Sequence, residues 1–164
     1  MAPKSLLRHE RTRSPVADFL PGTRFERVLL DEPARCAPTE VRRLLLCSGR
    51  LYVDLFAARQ ACAEAAQRTA ILRLEQLSPF PYDRVAEAME RYPNAELVWC
   101  QEEPMNQGAW TYVRPRIETA CRRNGADQGR ALRYVGRQPG AAPATGLLQL
   151  HTAELEAVVL EAFA

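Results

Sequence analysis

Two neighbouring carboxylates, Glu102 and Glu103, and two arginines, Arg50 and Arg73, are the side chains whose types and surroundings best suit chemistry. Adjacent acids can share acid–base work or hold a divalent cation. Neighbours in an extended chain, however, point to opposite faces, which favours helix capping and interface hydrogen bonds for the Gln101-Glu102-Glu103-Pro104 stretch. Ser48-Gly49-Arg50 supplies a hydroxyl able to cap a helix, a glycine that permits close backbone approach, and a cation beside free N–H groups, a combination suited to an anion. It has neither P-loop nor dinucleotide glycine spacing, and its other reading is a plain capped turn. Arg73 interrupts an apolar run, where an unpaired charge is expensive. It must pair with a carboxylate, Glu75 or Glu102, or reach an anion. No Ser-His-Asp or Cys-His grouping is evident, and His9 and His151 read as surface residues.

The elements that must position these side chains alternate along the chain. Val41 to Cys47, Ala70 to Leu77, Ala95 to Cys100 and Leu132 to Val135 read as strands, and Phe25, Val28, Leu29 and Leu30 add a short one. Between them run helical patterns. Leu51, Leu55, Ala58 and Cys62 make one stripe, Asp83 to Tyr92 is a short helix with Val85 and Met89 inward, and Asn106 to Arg123 is a longer one. Pro115 predicts a kink or a fresh start within the longer helix. A Gly/Pro/Ala loop over residues 136–146 precedes a last helix carrying Leu155, Val158, Val159, Ala162 and Phe163. Alternating strands and helices predict an α/β fold: a three-layer α/β/α sandwich around a mostly parallel open sheet. Ligands of such sheets bind at the carboxyl ends of the strands. The Ser48–Arg50, Gln76–Pro81 and Gln101–Gly108 segments fall there.

Composition excludes several classes. The 164 residues suffice for one domain with a real core. Lys plus Arg is 22 against 20 acids, a balance that argues against a dedicated nucleic-acid binder. All the basic residues except Lys4 are arginine. No apolar run approaches the roughly 18 residues of a membrane helix. Cys36, Cys47, Cys62, Cys100 and Cys121 form no CxxC pair, and the two histidines lie far from any cysteine cluster, so no zinc site is expected. Cys47 and Cys100 sit in apolar runs and read as reduced, buried thiols. Residues 1–14, rich in Arg with one acid, match a mitochondrial transit peptide when taken alone.

Several stretches together carry a family resemblance. They are PKSLLRH at 3–9, LPGT at 20–23, CSGRLY at 47–52, RLEQLSPFP at 73–81, WCQEEPMNQGAW at 99–110, YVGR at 134–137 and APATG at 142–146. In this order they resemble the C-terminal region of the thiamine diphosphate-dependent first component of the 2-oxoglutarate dehydrogenase complex, or of its 2-oxoadipate-preferring relatives. The resemblance implies a transketolase-like C-terminal α/β domain over residues 41–164. Residues 1–40 would then be a linker and the end of a preceding domain, not a transit peptide. It implies a parent that oxidatively decarboxylates 2-oxoglutarate and passes the succinyl group to a lipoyl succinyltransferase component. Thiamine diphosphate and magnesium sit in that parent's upstream domains, so this chain holds no cofactor or metal, lacks catalytic residues, and is inactive alone: a natural fragment, a truncated gene model or an isolated domain. Its implied roles are homodimer contacts and, in some relatives, binding of an allosteric activator such as acetyl-coenzyme A; AMP is a candidate ligand only for a stand-alone module. Those relatives' anion contacts map onto Ser48, Arg50 and Arg73, with Arg50 in place of a lysine, which keeps the charge but changes its geometry. Gln101, Glu102, Glu103, Asn106 and Gln107 are the motif's interface residues. No nucleic-acid or membrane partner is implied. The compartment follows the source: the mitochondrial matrix in a eukaryote, the cytoplasm in a bacterium. The rival reading is a stand-alone nucleotide- or coenzyme A-binding regulatory or scaffold module without catalysis.

Overall fold

Unbroken apolar runs such as Leu44-Leu45-Leu46 and Leu97-Val98-Trp99 leave no polar face for water, so they demand cover on both sides. The computed structural model, which describes residues 4–33, 36–62, 68–123 and 130–164, provides that cover. β1 (Val28–Asp31), β2 (Arg43–Cys47), β3 (Thr69–Leu74), β4 (Glu96–Pro104) and β5 (Leu132–Arg137) form one sheet in the order β1-β3-β2-β4-β5. Its β2–β3, β2–β4 and β4–β5 ladders are parallel, and β1 pairs antiparallel with β3 at the edge. The helices are α1 (Leu51–Ala61), α2 (Tyr82–Arg91), α3 (Trp110–Arg123) and α4 (Leu148–Phe163).

Strand alternation divides the core in two. Leu44, Leu46, Leu72, Leu97 and Trp99 pack against α2 and α3, while Leu45, Ile71, Val98 and Val135 pack against α1 and α4. The handedness of the crossovers explains which helix lies where. The chain steps from β2 to β3 one way through α1, then back past β2 to β4 and on to β5 through α2 and α3. A reversal of direction with constant right-handed crossovers requires a change of face. It also opens the sheet's topological switch point between the carboxyl ends of β2 and β4.

The three-layer, mostly parallel fold agrees with the sequence reading, and several boundaries move. β1 forms as anticipated and brings part of the 1–40 stretch into the sheet. β4 does not stop at Cys100 but runs through the two acids to Pro104, because β5 extends to Arg137 and pairs with Pro104 across a register shift. β3 ends at Leu74, three residues short of Leu77. α3 begins at Trp110, not Asn106, and continues through Pro115 without a fresh start. The α1 stripe is Leu51, Leu55 and Arg59, since the helix ends at Ala61 and leaves Cys62 extended and exposed. Cys47 and Cys100 are buried free thiols, and burial pushes Cys47 up to about 12 and Cys100 well above the ordinary thiol value. Glu96, at the start of β4, bonds Arg43 at 3.0 Å and Arg133 at 2.6 Å. Burial works to raise its carboxyl, but the two guanidiniums prevail and hold it below the usual range.

Candidate functional site

The switch point holds a compact polar cluster. β2 ends at Cys47, and Gly49 turns the chain with a φ of +66°, a left-handed value that favours glycine. That turn places Arg50 at the head of α1. Its Nη1 lies 3.5 Å from Glu102 Oε1 on β4, and its Nη2 lies 3.7 Å from Asp54 Oδ2 one helical turn on. His151, from the first turn of α4, completes the group with Nε2 at 3.6 Å from the same Glu102 oxygen. Asp54 Oδ2 is buried and makes no hydrogen bond. Ser48 does not cap α1: Arg50 occupies the cap position, and no side chain closes it.

Arg73 projects from β3 on the same face of the sheet, beneath α1. Its guanidinium lies 4.2 Å from the centroid of the Tyr52 ring, and its Nε donates to Glu75 Oε1 at 2.9 Å. Tyr52 donates its hydroxyl to Asp31 Oδ2 at 2.9 Å. Burial and that carboxylate together push the phenol up to about 12. Asp31 also receives Arg59, whose Nη2 reaches Oδ1 at 2.6 Å and whose Nη1 donates to the backbone oxygens of Asp31 and Thr69. Arg59 is only 2% exposed, so this pairing fixes the edge strand to α1. Breaking one partner of such a buried pair typically costs about 3–5 kcal/mol.

The two neighbouring acids part as strand alternation requires. Glu102 faces α1 and α4. Gln101, buried on the other face, accepts from the Trp99 indole N–H at 3.0 Å and from the backbone N–H of Trp110 at 2.9 Å. Its amide nitrogen donates to the carbonyls of Glu103, Pro104 and Gln107. Gln101 therefore caps α3 from a strand away and knots the turn that leads into it. Glu103 is exposed. Asn106 exchanges hydrogen bonds at 3.0 Å with both backbone groups of Gly140, and Gln107 adds one at 3.1 Å. They hold the 138–146 loop against the β4–α3 turn.

These positions limit the chemistry. Arg50 and Arg73 lie at the same end of the sheet, but each rests on its own carboxylates, so the ion-pair alternative is the one realised for Arg73, with Glu75. Among the described residues no three of His, Cys, Asp and Glu come together around a metal. A magnesium–diphosphate pair needs converging oxygen ligands and unspent cations. Arg50 and Arg73 are already engaged by carboxylates, and the described residues at this end of the sheet do not offer that donor set. The sequence reading missed four members of these networks. His151 reads as a surface residue from sequence, yet it is half-buried beside Glu102. Asp54, Asp31 and Arg59 are the other three, and of these Arg59 has a legible signal, a charge on the Leu51/Leu55 stripe of a helix, which needs a buried partner.

Comparison with known proteins gives a consistent picture. The profile of the family described as 2-oxoglutarate dehydrogenase C-terminal matches residues 13–163. A protein named 2-oxoglutarate dehydrogenase, mitochondrial, from Caenorhabditis briggsae is 42% identical over 99% of this chain and 15% of its own length. A 2-oxoglutarate dehydrogenase-like protein, mitochondrial, from Rattus norvegicus is 43% identical over 98% of the chain and 15% of its length. A 2-oxoglutarate dehydrogenase E1 component from Cupriavidus necator is 44% identical over 100% of the chain and 16% of its length. The chain thus spans about 15% of such relatives. Among solved structures, one described as a split gene transketolase, inactive beta4 tetramer, superposes with a TM-score of 0.55 at 14% identity, over 88% of this chain and 43% of that one. At that identity the likeness concerns the fold alone.

Proposed function

The chain belongs to the 2-oxoglutarate dehydrogenase C-terminal family, and from that membership we propose that it works as the C-terminal α/β domain of a 2-oxoglutarate-decarboxylating subunit. In this reading it gives the subunit dimer contacts and a rigid wall, and the thiamine diphosphate chemistry belongs to the rest of the enzyme. The observation that carries it is identity of 42–44% over nearly the whole chain with proteins several times longer. The use of Gln101, Asn106 and Gln107 as an internal scaffold supports the rigid wall. The lipoyl succinyltransferase component then meets the whole subunit, in the mitochondrial matrix of a eukaryote or the cytoplasm of a bacterium.

The test joins this chain to the upstream part of the Cupriavidus necator protein in place of that protein's own C-terminal piece. Turnover of 2-oxoglutarate by the fusion, and none by this chain alone with thiamine diphosphate and magnesium, is the expected result. Turnover by the chain alone, or a folded fusion that is dead, sinks the proposal.

A second reading, an anion site for acetyl-coenzyme A or AMP at Ser48, Arg50 and Arg73, has one observation in its favour. Gly49 is open, with nothing within 4 Å of where a Cβ would stand. A bound phosphate would have to displace Glu102 from Arg50 and Glu75 from Arg73. Calorimetry with either ligand decides: saturable heat lost in Arg73→Ala supports the site, and no heat removes it.

A further inference from the structure

Large apolar side chains left exposed among the described residues, Leu29 apart, lie in two places. One is an N-terminal arm, residues 4–25, which makes three short 3-10 turns and buries no residue. Leu7 there is 70% exposed and Phe19 76%. The other is α4 with Leu147 just before it, where Leu148 is 78% exposed and Leu160 72%. α4 and α1 enclose an apolar groove lined by Ala57, Leu155, Val159 and Leu160, with Asp54 and Glu156 at its margin.

We propose that these are two halves of one interface: the arm of each of two copies lies in the α1–α4 groove of the other. The inference rests on the dimer reading above and names the surface that makes it. Charge selects the occupant. The arm carries Lys4, Arg8, Arg11 and Arg13 against Glu10 and Asp18, with Arg24 paired to Glu26, whereas α4 carries no lysine or arginine and Glu156 is the acid at the groove left without an ion pair among the described residues, since Asp54, Glu154 and Glu161 face Arg50, Arg137 and Arg133. A basic apolar arm and an acidic apolar groove attract each other and repel their own kind. Position selects the symmetry. The arm is anchored beside the groove, with the Arg11 guanidinium 4.4 Å from the centroid of the Phe56 ring on α1. Phe56 adjoins Ala57, so one patch contains both lock and key. That is the requirement for an isologous pair that closes on itself instead of growing into a chain. A two-fold axis alongside α1 lays each arm over the partner's groove and covers both sets of exposed leucines.

Sedimentation equilibrium on the full chain tests this with two charge reversals. Arg8→Glu with Arg13→Glu inverts the arm, and Glu156→Arg inverts the groove. All three positions are exposed, and none enters an ion pair among the described residues. The wild-type chain should dimerise, more weakly in high salt. Each reversed chain alone should dimerise at least tenfold more weakly, since like charges then meet at both contacts. Mixing the two should restore affinity, because every arm in the mixed dimer again faces a groove of opposite sign. A dimer indifferent to both reversals overturns this surface and leaves the dimer reading standing. Weakening without recovery on mixing overturns the arm-to-groove pairing. A chain that stays monomeric at high concentration overturns both, and gives the face to the remainder of a longer polypeptide or to another protein.

Discussion

One buried amide, that of Gln101, accepts two hydrogen bonds and presents its two N–H groups to three carbonyl oxygens, which share them. Its position is set by two constraints that only a side-chain amide meets. The oxygen must take N–H groups from Trp99 and Trp110, while the nitrogen must supply protons to carbonyls stranded by the Pro104–Gln107 turn. A carboxylate of the same length offers no donor, and a leucine of similar volume offers neither function. Gln101→Leu therefore leaves two buried N–H groups unpaired and should cost about 2–4 kcal/mol. Urea unfolding followed by tryptophan fluorescence measures it directly, because Trp99 and Trp110 both lie in the affected core. A loss below about 0.5 kcal/mol would mean that water or a rearranged turn replaces the amide, and that the motif's glutamine has another purpose. The arginines tell a complementary story. Arg59, Arg73 and Arg50 are held by Asp31, Glu75 and Glu102 in turn. The chain's arginine-rich composition is thus expressed, at this end of the sheet, as internal pairing.

β5 shows how an element can hinge on a missing side chain. A Cβ at Gly136 would fall well inside contact distance of the Tyr134 hydroxyl and 2.8 Å from the carbonyl oxygen of Gln101. Tyr134 cannot easily move away, since its one O–H is shared between the backbone carbonyls of Glu103 at 3.2 Å and Arg137 at 3.1 Å. Gly136→Ala should cost about 1–3 kcal/mol through overpacking. Gly49 answers to a different constraint: it has open space but a left-handed φ of +66°. Gly49→Asn should therefore be milder than Gly49→Ala, because asparagine tolerates that region, whereas at Gly136 every replacement begins with the same Cβ. Thermal melts of the three variants separate the two cases, and equal losses at both glycines would refute the distinction. Much at this scale was legible in advance. Apolar runs gave β2, β3 and β4, helical spacing gave α2 and α4, and simple alternation gave the parting of Glu102 from Glu103. What stayed hidden depends on partners remote in sequence. The direction of β1 is not encoded in four apolar residues; it is imposed by the β3 edge and the Arg59–Asp31 tie. The extension of β4 depends on β5, and the Asn106–Gly140 pairing joins groups 34 residues apart.

Across the whole molecule the sheet serves two cores of unequal depth. The face covered by α2 and α3 contains Trp99, Tyr92, Met89 and Ile117, all almost wholly buried. On the other face α4 commits only Val158 and Ala162 fully to the interior. It is otherwise held by the partly buried Leu155, Val159 and Phe163 and by polar ties: Arg137 to Glu154 at 2.6 Å, and Arg43 to the carbonyl of Ala162 at 3.1 Å. An element with few buried apolar contacts opens at a lower free energy than the strands it covers. Native-state hydrogen exchange should accordingly find the amides of α4 exchanging faster than those of β2 and β4 in dilute solution. Anything that binds the closed form of α4 and not the open one slows that opening in proportion to its occupancy. If a second copy covers the α1–α4 groove, raising the protein concentration through the association range should slow exchange in α4 while the central strands, already protected by global stability, stay where they were. Protection in α4 that matches β2 even in dilute solution and ignores concentration would place the helix inside the global cooperative unit. Its exposed leucines would then be a surface this fold tolerates uncovered.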